Sequence, residues 1–529
     1  MVIHYLGHAG FIVEHHGVRV LIDPWFYPAF LQSWFPYPDN RSLLNRVVGE
    51  RFDYMYVSHG HEDHFDERLL HQLPKSITLL VPKYRSNSLV RRFKALGFER
   101  IIALDHRQSH DLAPGFTATM YLDTSHKEDS GILLDIDGFR FLDLNDCNVS
   151  MSELPTDIDL FAAQFSGAMW YPHCYDYPED IKLEKAADIK QGLLETLYHK
   201  VRLTGAKAYV PSAGPACFLD PTLEAYNDHE TTIFPLWSDV AEGFATACPE
   251  TVVHHLNPGD AMQIDIAAQQ TMVERDPNAR TSEDLAEYRE RRRDEWSEFY
   301  AASDAPLSAE EIAQYFAKLQ RRNKHFLHDF QKDIRLVSGG SMWGVRLGRL
   351  AEQFVIEGEE PYDPEYTLLM SPRVLRAVVE GRTGWEEALL SNRISLRRNP
   401  DVFDLTLMGL LRYGHQPVQT LQIAREQSST ETIERDGLKL QRFCPHAGED
   451  MTHATICEGV VECPRHHWRW DARTGKCLSG GTLGLRVEVL DATDPALEPA
   501  TETGSEMPAV EPRRAETFIT PAADLSRLA

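Results

Sequence analysis

Short apolar runs alternate with turn residues and helical stretches along the first half of the chain. Apolar residues on both sides of a His-Gly turn predict a β-hairpin across residues 11–22, and the same pattern around an Asp-Gly pair predicts another across 132–144. The apolar run at 54–57 predicts a short buried strand. Up to about residue 265, this alternation predicts packed sheets with helices outside them.

Residues 281–333 instead have the period of amphipathic helices. The pair Ser308-x-x-Glu311 predicts a capping box at the start of one helix, and apolar residues recur every three or four positions after it. The basic run at 289–293 is interleaved with acidic residues, so we expect a solvated helix face there rather than a nucleic-acid surface.

Two further units follow. Residues 340–415 combine strand patterns with a helix that begins at Ser371 and Pro372 and ends at Gly381. Glycine, cysteine, histidine and β-rich runs dominate residues 418–495. The Pro-, Glu- and Thr-rich tail after them is expected to be flexible.

Composition narrows the range of partners. The chain has 529 residues, 43% hydrophobic and 25% charged, which is typical of a globular protein with several domains. Lys+Arg 54 against Asp+Glu 80 gives a net charge of −26, so we expect no nucleic acid and no membrane partner. Eight cysteines are too sparse for a secreted disulfide scaffold, and we therefore expect a cytoplasmic protein.

Four ligand-type side chains follow the predicted strand at 54–57. His59, His61, Asp63 and His64 form the pattern His-x-His-x-Asp-His, called here the histidine motif. In a loop that leaves a strand, alternation directs His59 and His61 to one ion and Asp63 and His64 to a second ion beside it. Imidazole with carboxylate suits zinc, iron or manganese. A lone histidine pair is more often structural, but four such groups this close favour a metal site.

The histidine motif, together with the segment 7–10 and the Asp23 turn, resembles the metallo-β-lactamase fold. This resemblance implies an αββα sandwich whose site is completed by a further histidine and a bridging aspartate from later strands. It implies that His126 is the third ligand of the first metal and that Asp146 is the bridge. Asp143 competes with Asp146 for that role.

Hydrolases of this fold add a last histidine at the end of a later strand. The corresponding segment here, 208–214, contains no imidazole. We predict that His229 serves the second metal instead, with His173 and Asp228 as alternatives. For each of them, an exposed loop position is the simpler interpretation.

A second constellation lies near the C-terminus. Cys444-x-His446 and Cys463-x-x-His466 could hold zinc tetrahedrally, which is the structural alternative. Both halves begin with Cys-Pro, however, and a Trp-containing hairpin follows, so the region resembles a Rieske domain. The resemblance implies that Cys444 and Cys463 bind one iron of a 2Fe-2S cluster and that His446 and His466 bind the other. His467 lies at a position where that family usually has glycine, and we do not expect it to bind the cluster.

The two constellations together change the expected chemistry. Metal-assisted hydrolysis leaves the oxidation state of the metal unchanged and needs no electrons, whereas a Rieske cluster moves single electrons. The combination resembles the CMP-N-acetylneuraminate hydroxylase family. The similar stretches are 8–11, 23–26, 58–61, 166–168 with 171–172, 211–214, and 385–387 with 398–402. This resemblance implies iron as the catalytic metal and O2 as co-substrate.

The expected function is that of a Rieske-coupled non-heme diiron monooxygenase, which hydroxylates a C-H bond or oxidises an amine N-H of a small polar metabolite. Electrons are expected from a ferredoxin or a cytochrome-b5-like donor with its NAD(P)H reductase. Tyr171 and His173 are expected to contact the substrate or deliver a proton, with packing aromatics as the alternative. A zinc-dependent hydrolase with a redox-sensing Rieske domain is the competing hypothesis, and a non-catalytic electron-transfer protein is the third.

The expected fold is a multidomain α+β protein. It comprises the metallo-β-lactamase sandwich, a helical linker with a small α/β unit that resembles a sterol-carrier domain, and a C-terminal all-β Rieske domain. The predicted bounds are 1–270 for the catalytic domain, 271–335 for the linker, 336–417 for the α/β unit, 418–495 for the Rieske domain and 496–529 for the flexible tail.

Overall fold

The structure is a computed structural model with three folded units and a helical segment between the first two. It describes residues 1–123, 125, 127–324, 331–348, 355–358, 364–446, 448–464, 467–479, 483–491 and 493–497. Almost all of the predicted tail at 496–529 therefore lies outside the described residues. Among the helices of the described residues, none combines the length and apolar character needed to cross a membrane.

The first unit is built from short strands and flanking helices. Its strands are β1 (Val2–Gly7), β2 (Gly10–His15), β3 (Val18–Ile22), β4 (Trp34–Phe35), β5 (Tyr54–Tyr56), β6 (Thr78–Pro82), β7 (Ile101–Leu104), β8 (Ser109–Ala113), β9 (Phe116–Leu122), β10 (Ser130–Ile136), β11 (Phe139–Asn145), β12 (Leu160–Gln164), β13 (Ala208–Ser212), β14 (Cys217–Phe218), β15 (Val252–Val253), β16 (Ala261–Asp265) and β17 (Gln270–Glu274). Its helices are α1 (Leu44–Gly49), α2 (Glu67–Gln72), α3 (Ser88–Ala95), α4 (Glu179–Thr204) and α5 (Trp237–Ala247).

Two sheets of this unit pack face to face. One has the order β17-β16-β1-β2-β3-β5-β6-β7, and the other has the order β15-β13-β12-β11-β10-β9-β8. Phe11 and Val13 of the first sheet meet Leu134 and Phe141 of the second in a buried core. Helices α1 to α3 cover the outer face of the first sheet, and α4 and α5 cover that of the second. The predicted αββα sandwich is confirmed.

The predicted hairpins are also confirmed, and their turns show why. Strands β2 and β3 pair antiparallel, as do β10 and β11. His16 and Gly17 have φ angles of 49° and 77°, and Asp137 and Gly138 have φ angles of 50° and 86°. Two consecutive residues with positive φ match the right-handed twist of the flanking strands.

Three predicted domain boundaries coincide with strands or helices rather than with the loops between them. Strand β17 pairs antiparallel with β16, so the first unit extends through Glu274 rather than ending at residue 270. The predicted limit at 335 lies within the strand Gln331–Ser338, and the predicted limit at 417 lies at the start of the helix Pro417–Ser428. Sequence periodicity located the units but not the strand pairing that decides their ends.

The linker contains α6 (Leu285–Arg291), α7 (Arg293–Ala301) and α8 (Ala309–Arg322). The predicted capping box is present at α8: the Ser308 amide donates to Glu311 Oε2 at 2.8 Å and the Glu311 amide donates to Ser308 Oγ at 3.3 Å. The basic run is not wholly solvated as expected. Arg292 is buried and donates to Asp39 Oδ1 of the first unit at 2.9 Å, because an acidic partner there offsets the burial of its charge.

The second unit is the predicted small α/β unit. Its strands β18 (Gln331–Ser338), β19 (Ser341–Gly348), β20 (Val355–Glu357), β21 (Tyr366–Met370) and β22 (Ile394–Arg398) form a sheet of order β20-β19-β18-β21-β22. Its helices are α9 (Pro372–Val379), α10 (Trp385–Leu390), α11 (Leu405–Tyr413) and α12 (Pro417–Ser428). This unit shares a buried core with the first unit, and the Trp34 indole donates to the Leu390 carbonyl at 2.9 Å.

The third unit is all-β, as predicted. Strands β23 (Thr432–Arg435), β24 (Leu438–Gln441) and β28 (Val487–Val489) form one sheet, and β25 (Thr455–Cys457), β26 (Val460–Glu462) and β27 (Arg469–Asp471) form another. Leu440, Val461 and Trp470 lie in the core between them.

Candidate metal centre

Ligand-type side chains gather where strands of the first unit end. Strands β1, β3 and β5 run in the same direction, because β2 pairs antiparallel with β1 and β3 and β3 pairs parallel with β5. His8, Asp23 and the histidine motif each follow one of these strands, and Asp146 follows β11 in the facing sheet. Sites in sheets of this kind form at the carboxyl ends of strands.

The loop that carries the histidine motif is fixed at both ends. Before it, the Ser58 amide donates to Asp23 Oδ1 at 2.7 Å. After it, Asp66 caps α2 by accepting from the Leu69 amide at 3.1 Å, and its other oxygen accepts from the Phe26 amide at 2.8 Å. The motif is therefore held between β5 and α2 rather than on a free loop.

His59 and His61 face each other. His59 Nε2 lies 2.8 Å from His61 Nδ1, at hydrogen-bond distance, so these two nitrogens meet at one place. Burial, together with the neighbouring imidazoles of His64 and His61, holds the pKa of His59 well below its usual range. Asp129 Oδ1 lies 3.4 Å from His59 Nδ1, and the predicted third ligand His126 lies outside the described residues.

A second group forms beside this pair. His64 Nε2 lies 3.8 Å from Asp63 Oδ2 and 3.6 Å from Asp146 Oδ2. Its other nitrogen, Nδ1, lies 2.8 Å from Asp23 Oδ2, which directs Nε2 into the group. Burial by itself lowers the pKa of His64, but the three carboxylates raise it well above the usual range. His8 Nε2 lies 3.3 Å from Asp63 Oδ2, and the sequence did not single out His8 as a ligand.

Buried polar atoms without a hydrogen-bond partner among the described residues concentrate here. They include Asp63 Oδ1, His64 Nε2, Asp146 Oδ1 and both ring nitrogens of His8. Each such atom costs about 1–3 kcal/mol when nothing satisfies it. These residues belong to two adjoining groups whose ligand atoms lie within 4.8 Å of one another. Imidazole and carboxylate donors fit iron, zinc or manganese, so these residues suit bound transition metals.

The structure brings Asp146 rather than Asp143 into this arrangement. His59, His64 and Asp146 offer ligand atoms within 4.8 Å of one another. Asp143 lies within β11, where Oδ1 accepts from the Asn145 amide at 3.2 Å. Burial, then the charge of Asp23, raises the pKa of Asp143 well above its usual range.

The second unit contributes a carboxylate that sequence reasoning did not place in the site. Glu386 of α10 lies 3.8 Å from His61 Nε2, and the Arg412 guanidinium of α11 donates to Glu386 Oε1 at 3.1 Å. Burial alone raises the pKa of Glu386, but Arg412 and His61 lower it below the usual range. The pKa of His61 is raised to about 9, because Glu386 more than offsets the effect of burial. Glu386 therefore faces the nitrogen of His61 opposite to the one that meets His59.

Other aromatic rings pack against three of the predicted site residues, Tyr171, His173 and His229. The Tyr171 ring packs against Tyr175 at 5.3 Å between centroids. His173 Nε2 accepts from the Ile233 amide at 3.1 Å, and burial lowers the pKa of His173 to about 4.

His229 Nδ1 donates to the Phe234 carbonyl at 2.7 Å. Among the described residues, the group that gathers around Asp63 and His64 contains His8 and not His229. The segment that holds Tyr171 and His173 still approaches the site, because Arg412 lies over the Trp170 ring at 5.1 Å.

Two loops of the third unit carry the second constellation. Cys444 and Cys463 are buried, the Cys444 amide donates to the Glu449 carbonyl at 2.8 Å, and the Cys463 amide donates to the Trp468 carbonyl at 2.9 Å. The His446 ring stacks on Trp468 with 4.0 Å between centroids. Two buried thiols and an imidazole fit the donor set of a Rieske cluster, whose fourth predicted ligand, His466, lies outside the described residues.

These loops contact both other units. His467 Nε2 donates to the Gly192 carbonyl of α4 at 3.0 Å, and its Nδ1 lies 2.8 Å from Glu462 Oε1. Phe403 of the second unit packs against the ring of His446 at 5.4 Å between centroids. The candidate cluster site is therefore docked against the unit that carries the candidate metal centre and against its neighbour.

Comparisons with known proteins agree with this division of the chain. The β-lactamase superfamily domain matches residues 2–131, and the Rieske [2Fe-2S] domain matches residues 420–484. A Rieske 2Fe-2S iron-sulfur protein of Mycolicibacterium smegmatis is 28% identical over 92% of this chain and 99% of its own length.

Two hydroxylases are also similar. The cytidine monophosphate-N-acetylneuraminic acid hydroxylase of Danio rerio is 23% identical over 50% of this chain and 46% of its own length. Among solved structures, CmlA, a diiron β-hydroxylase from Streptomyces venezuelae, is 17% identical and covers 52% of this chain and 54% of that chain, with a TM-score of 0.33. The two domain matches show that the chain joins an N-terminal domain of the β-lactamase superfamily to a C-terminal Rieske domain, the combination that its sequence predicts.

Proposed function

We propose that this protein is a Rieske-coupled, iron-dependent monooxygenase. The first unit binds two irons through His59, His61, His64, Asp63 and Asp146, with His126 as a further ligand. O2 and a small polar metabolite are the substrates, and a C-H or an amine N-H bond is oxidised.

The docking of the Rieske loops on the metal-binding unit carries this proposal. His467 holds one of these loops against α4 of the first unit. The metal centre of that unit is therefore the acceptor that we propose for electrons from the cluster. Hydrolysis at a metal centre would not use them, because Lewis-acid activation of water leaves the metal's oxidation state unchanged. The hydroxylase activity named for the Danio rerio relative points in the same direction.

The reaction balances with the cluster as electron donor. One oxygen atom of O2 enters the product and the other leaves as water, which consumes two electrons and two protons. The bound irons would supply the change of valence that this reaction requires, and the cluster would deliver the electrons one at a time. The donor to the cluster is a ferredoxin or a cytochrome-b5-like protein with its NAD(P)H reductase.

The chain's own residues hold and orient the ligands. Asp23 fixes the ring of His64, and the Glu386–Arg412 pair fixes the ring of His61. Tyr171 and His173 are proposed to border the substrate, since their segment meets Arg412 through Trp170.

Metal analysis and oxygen uptake test the proposal on the purified full-length chain. We expect about four irons and two acid-labile sulfides per chain, and O2 uptake that requires a reductant. Alanine at both His59 and His61 should remove iron from the first unit, keep the cluster's iron and sulfide, and abolish the reductant-dependent uptake. Zinc in place of iron, together with hydrolytic activity under nitrogen, would favour the zinc hydrolase instead.

A further inference from the structure

We infer that His8 is a ligand of the second metal ion, together with Asp63 and His64. This inference rests on the metal centre proposed above, but not on which metal occupies it or on which reaction follows. The second ion then takes an imidazole from the β1–β2 turn, whereas the sequence analysis predicts His229 from a later loop.

The backbone at His8 is held in an unusual conformation. His8 follows β1 with a φ of 53°, in the left-handed region that non-glycine residues adopt infrequently. Its carbonyl accepts from the Tyr5 hydroxyl at 3.1 Å and from the Ala213 amide at 3.0 Å. Strained conformations of this kind persist where surrounding structure holds them, and they cluster at binding sites.

The turn also aims the side chain inward. A Cβ atom at Gly10 would lie 3.0 Å from Leu6 Cβ and 3.1 Å from the Gly7 carbonyl, so the turn is closely packed. The His8 ring packs edge-on against the buried Trp25 ring with 4.8 Å between centroids. The imidazole is 4% exposed and therefore cannot turn to solvent without moving the hairpin.

No hydrogen bond explains this buried ring. Within the described residues, neither ring nitrogen has a hydrogen-bond partner, although Nε2 lies 3.3 Å from Asp63 Oδ2. Asp63 Oδ1 and His64 Nε2 lack partners in the same way. One ligand atom from each of the three residues lies within 4.8 Å of the others, so a single cation satisfies donors on all three.

The position also accounts for the missing last histidine. Strand β13 ends at Ser212, and Ala213, which follows it, has no ligand atom in its side chain. Because the Ala213 amide donates to the His8 carbonyl, the turn that carries His8 lies beside this strand end, where an imidazole is lacking. His229 and His173 already hydrogen-bond the backbone at Phe234 and Ile233.

The test compares two substitutions that fit the turn equally well. Asparagine and aspartate both tolerate a positive φ, but only aspartate supplies a carboxylate to a metal. The full-length wild type, His8→Asn and His8→Asp are stripped of exchangeable metal with a chelator and dialysed against Co²⁺. Bound cobalt is counted, and its affinity and visible absorption are measured. Absorption of the Rieske cluster reports folding, and His71→Asn on the exposed face of α2 is the matched control.

We expect two Co²⁺ per chain in the wild type, His8→Asp and His71→Asn. In His8→Asn the second ion should bind at least about tenfold more weakly, because even outer partners of metal ligands contribute roughly 10–100-fold to affinity. Wild-type stoichiometry and affinity in His8→Asn would overturn the inference. So would a wild type that binds only one ion, or loss of the second ion in His229→Ala with His8→Asn unaffected. Zinc-only protein without oxygen uptake would defeat the proposed function while leaving this result in place.

Discussion

Charged groups orient the side chains that we propose to bind metal. Asp23 binds Nδ1 of His64, and Glu386 faces Nε2 of His61. Each carboxylate leaves the opposite ring nitrogen directed into the site. Carboxylates placed behind ligating histidines fix the tautomer and increase ligand basicity. Metal affinity should therefore depend on residues that never touch an ion.

Glu386→Gln tests this dependence. The substitution keeps the shape of the side chain but removes the charge that faces His61 Nε2 and pairs with Arg412. We expect affinity for the first ion to fall by about 10–100-fold, measured by competition with a chromophoric chelator. Glu310→Gln, on the exposed start of α8, is the matched control and should bind like the wild type. Unchanged affinity in Glu386→Gln would show that the carboxylate has no orienting role.

At the scale of elements, α4 couples the first and third units. The helix spans Glu179–Thr204, and Gly192 lies where the His467 ring approaches it. A Cβ atom at Gly192 would come within 3.0 Å of His467 Cδ2. Glycine inside a helix is usually unfavourable by about 1 kcal/mol relative to alanine, so its presence here is explained by the close approach of the Rieske loop.

Gly192→Leu should disturb the docking of the Rieske loop on α4 without destabilising the helix. Leucine is a better helix former than glycine, so α4 itself gains about 0.8 kcal/mol or less, while its side chain displaces His467. We expect faster hydrogen exchange in the segment 463–468, with no fall in the melting temperature of the first unit. Ala187→Leu, at an exposed position of α4, should leave exchange unchanged. Equal protection in both variants would argue against docking through His467.

The elements themselves were predictable where neighbouring residues decide them. The hairpin turn at His16 and the capping box at Ser308 depend on residues a few positions apart, and both were located from the sequence. The histidine motif was recognisable for the same reason. Glu386 and His8 approach it only through tertiary packing, so no spacing rule linked them to it. The sequence wrongly predicts a solvated Arg292, because its partner Asp39 is distant in sequence.

At the scale of the whole molecule, buried polar contacts lock the second unit onto the first. Arg393 Nη1 lies 2.8 Å from Asp220 Oδ2, and both side chains are almost completely buried. The Arg393 guanidinium also lies 3.7 Å above the Phe299 ring of the linker. Since Glu386 of the second unit lies beside His61 in the candidate metal centre, this contact supports the geometry of that centre as well as the assembly.

Arg393→Met should loosen this assembly. Removing one partner of a buried ion pair costs about 3–5 kcal/mol, because the remaining charge is left uncompensated. We expect a lower melting temperature in calorimetry, and partial recovery in the Asp220→Asn, Arg393→Met double variant. A double variant as unstable as the single one would mean that packing, not the unpaired carboxylate, causes the loss.

The same pair predicts how stability depends on pH. Burial raises the pKa of Asp220, but the charge of Arg393 and hydrogen bonds to the carboxylate lower it by more. The net pKa therefore lies below the usual value. A carboxylate with a depressed folded-state pKa stabilises the protein above its unfolded pKa, and this contribution is lost as the pH falls through the folded value. The wild type should therefore lose stability below about pH 4, and Asp220→Asn should lose less over that interval. Parallel pH profiles would exclude this contribution.

The central claim is that electrons pass from the Rieske cluster to the metal centre of the same chain and there reduce O2. It is tested most directly by reducing the purified protein under nitrogen, mixing it with O2 and following reoxidation of the cluster by its visible absorption. The wild type should reoxidise many times faster than a His59→Ala, His61→Ala variant that retains the cluster. Equal rates in the two proteins would contradict the account.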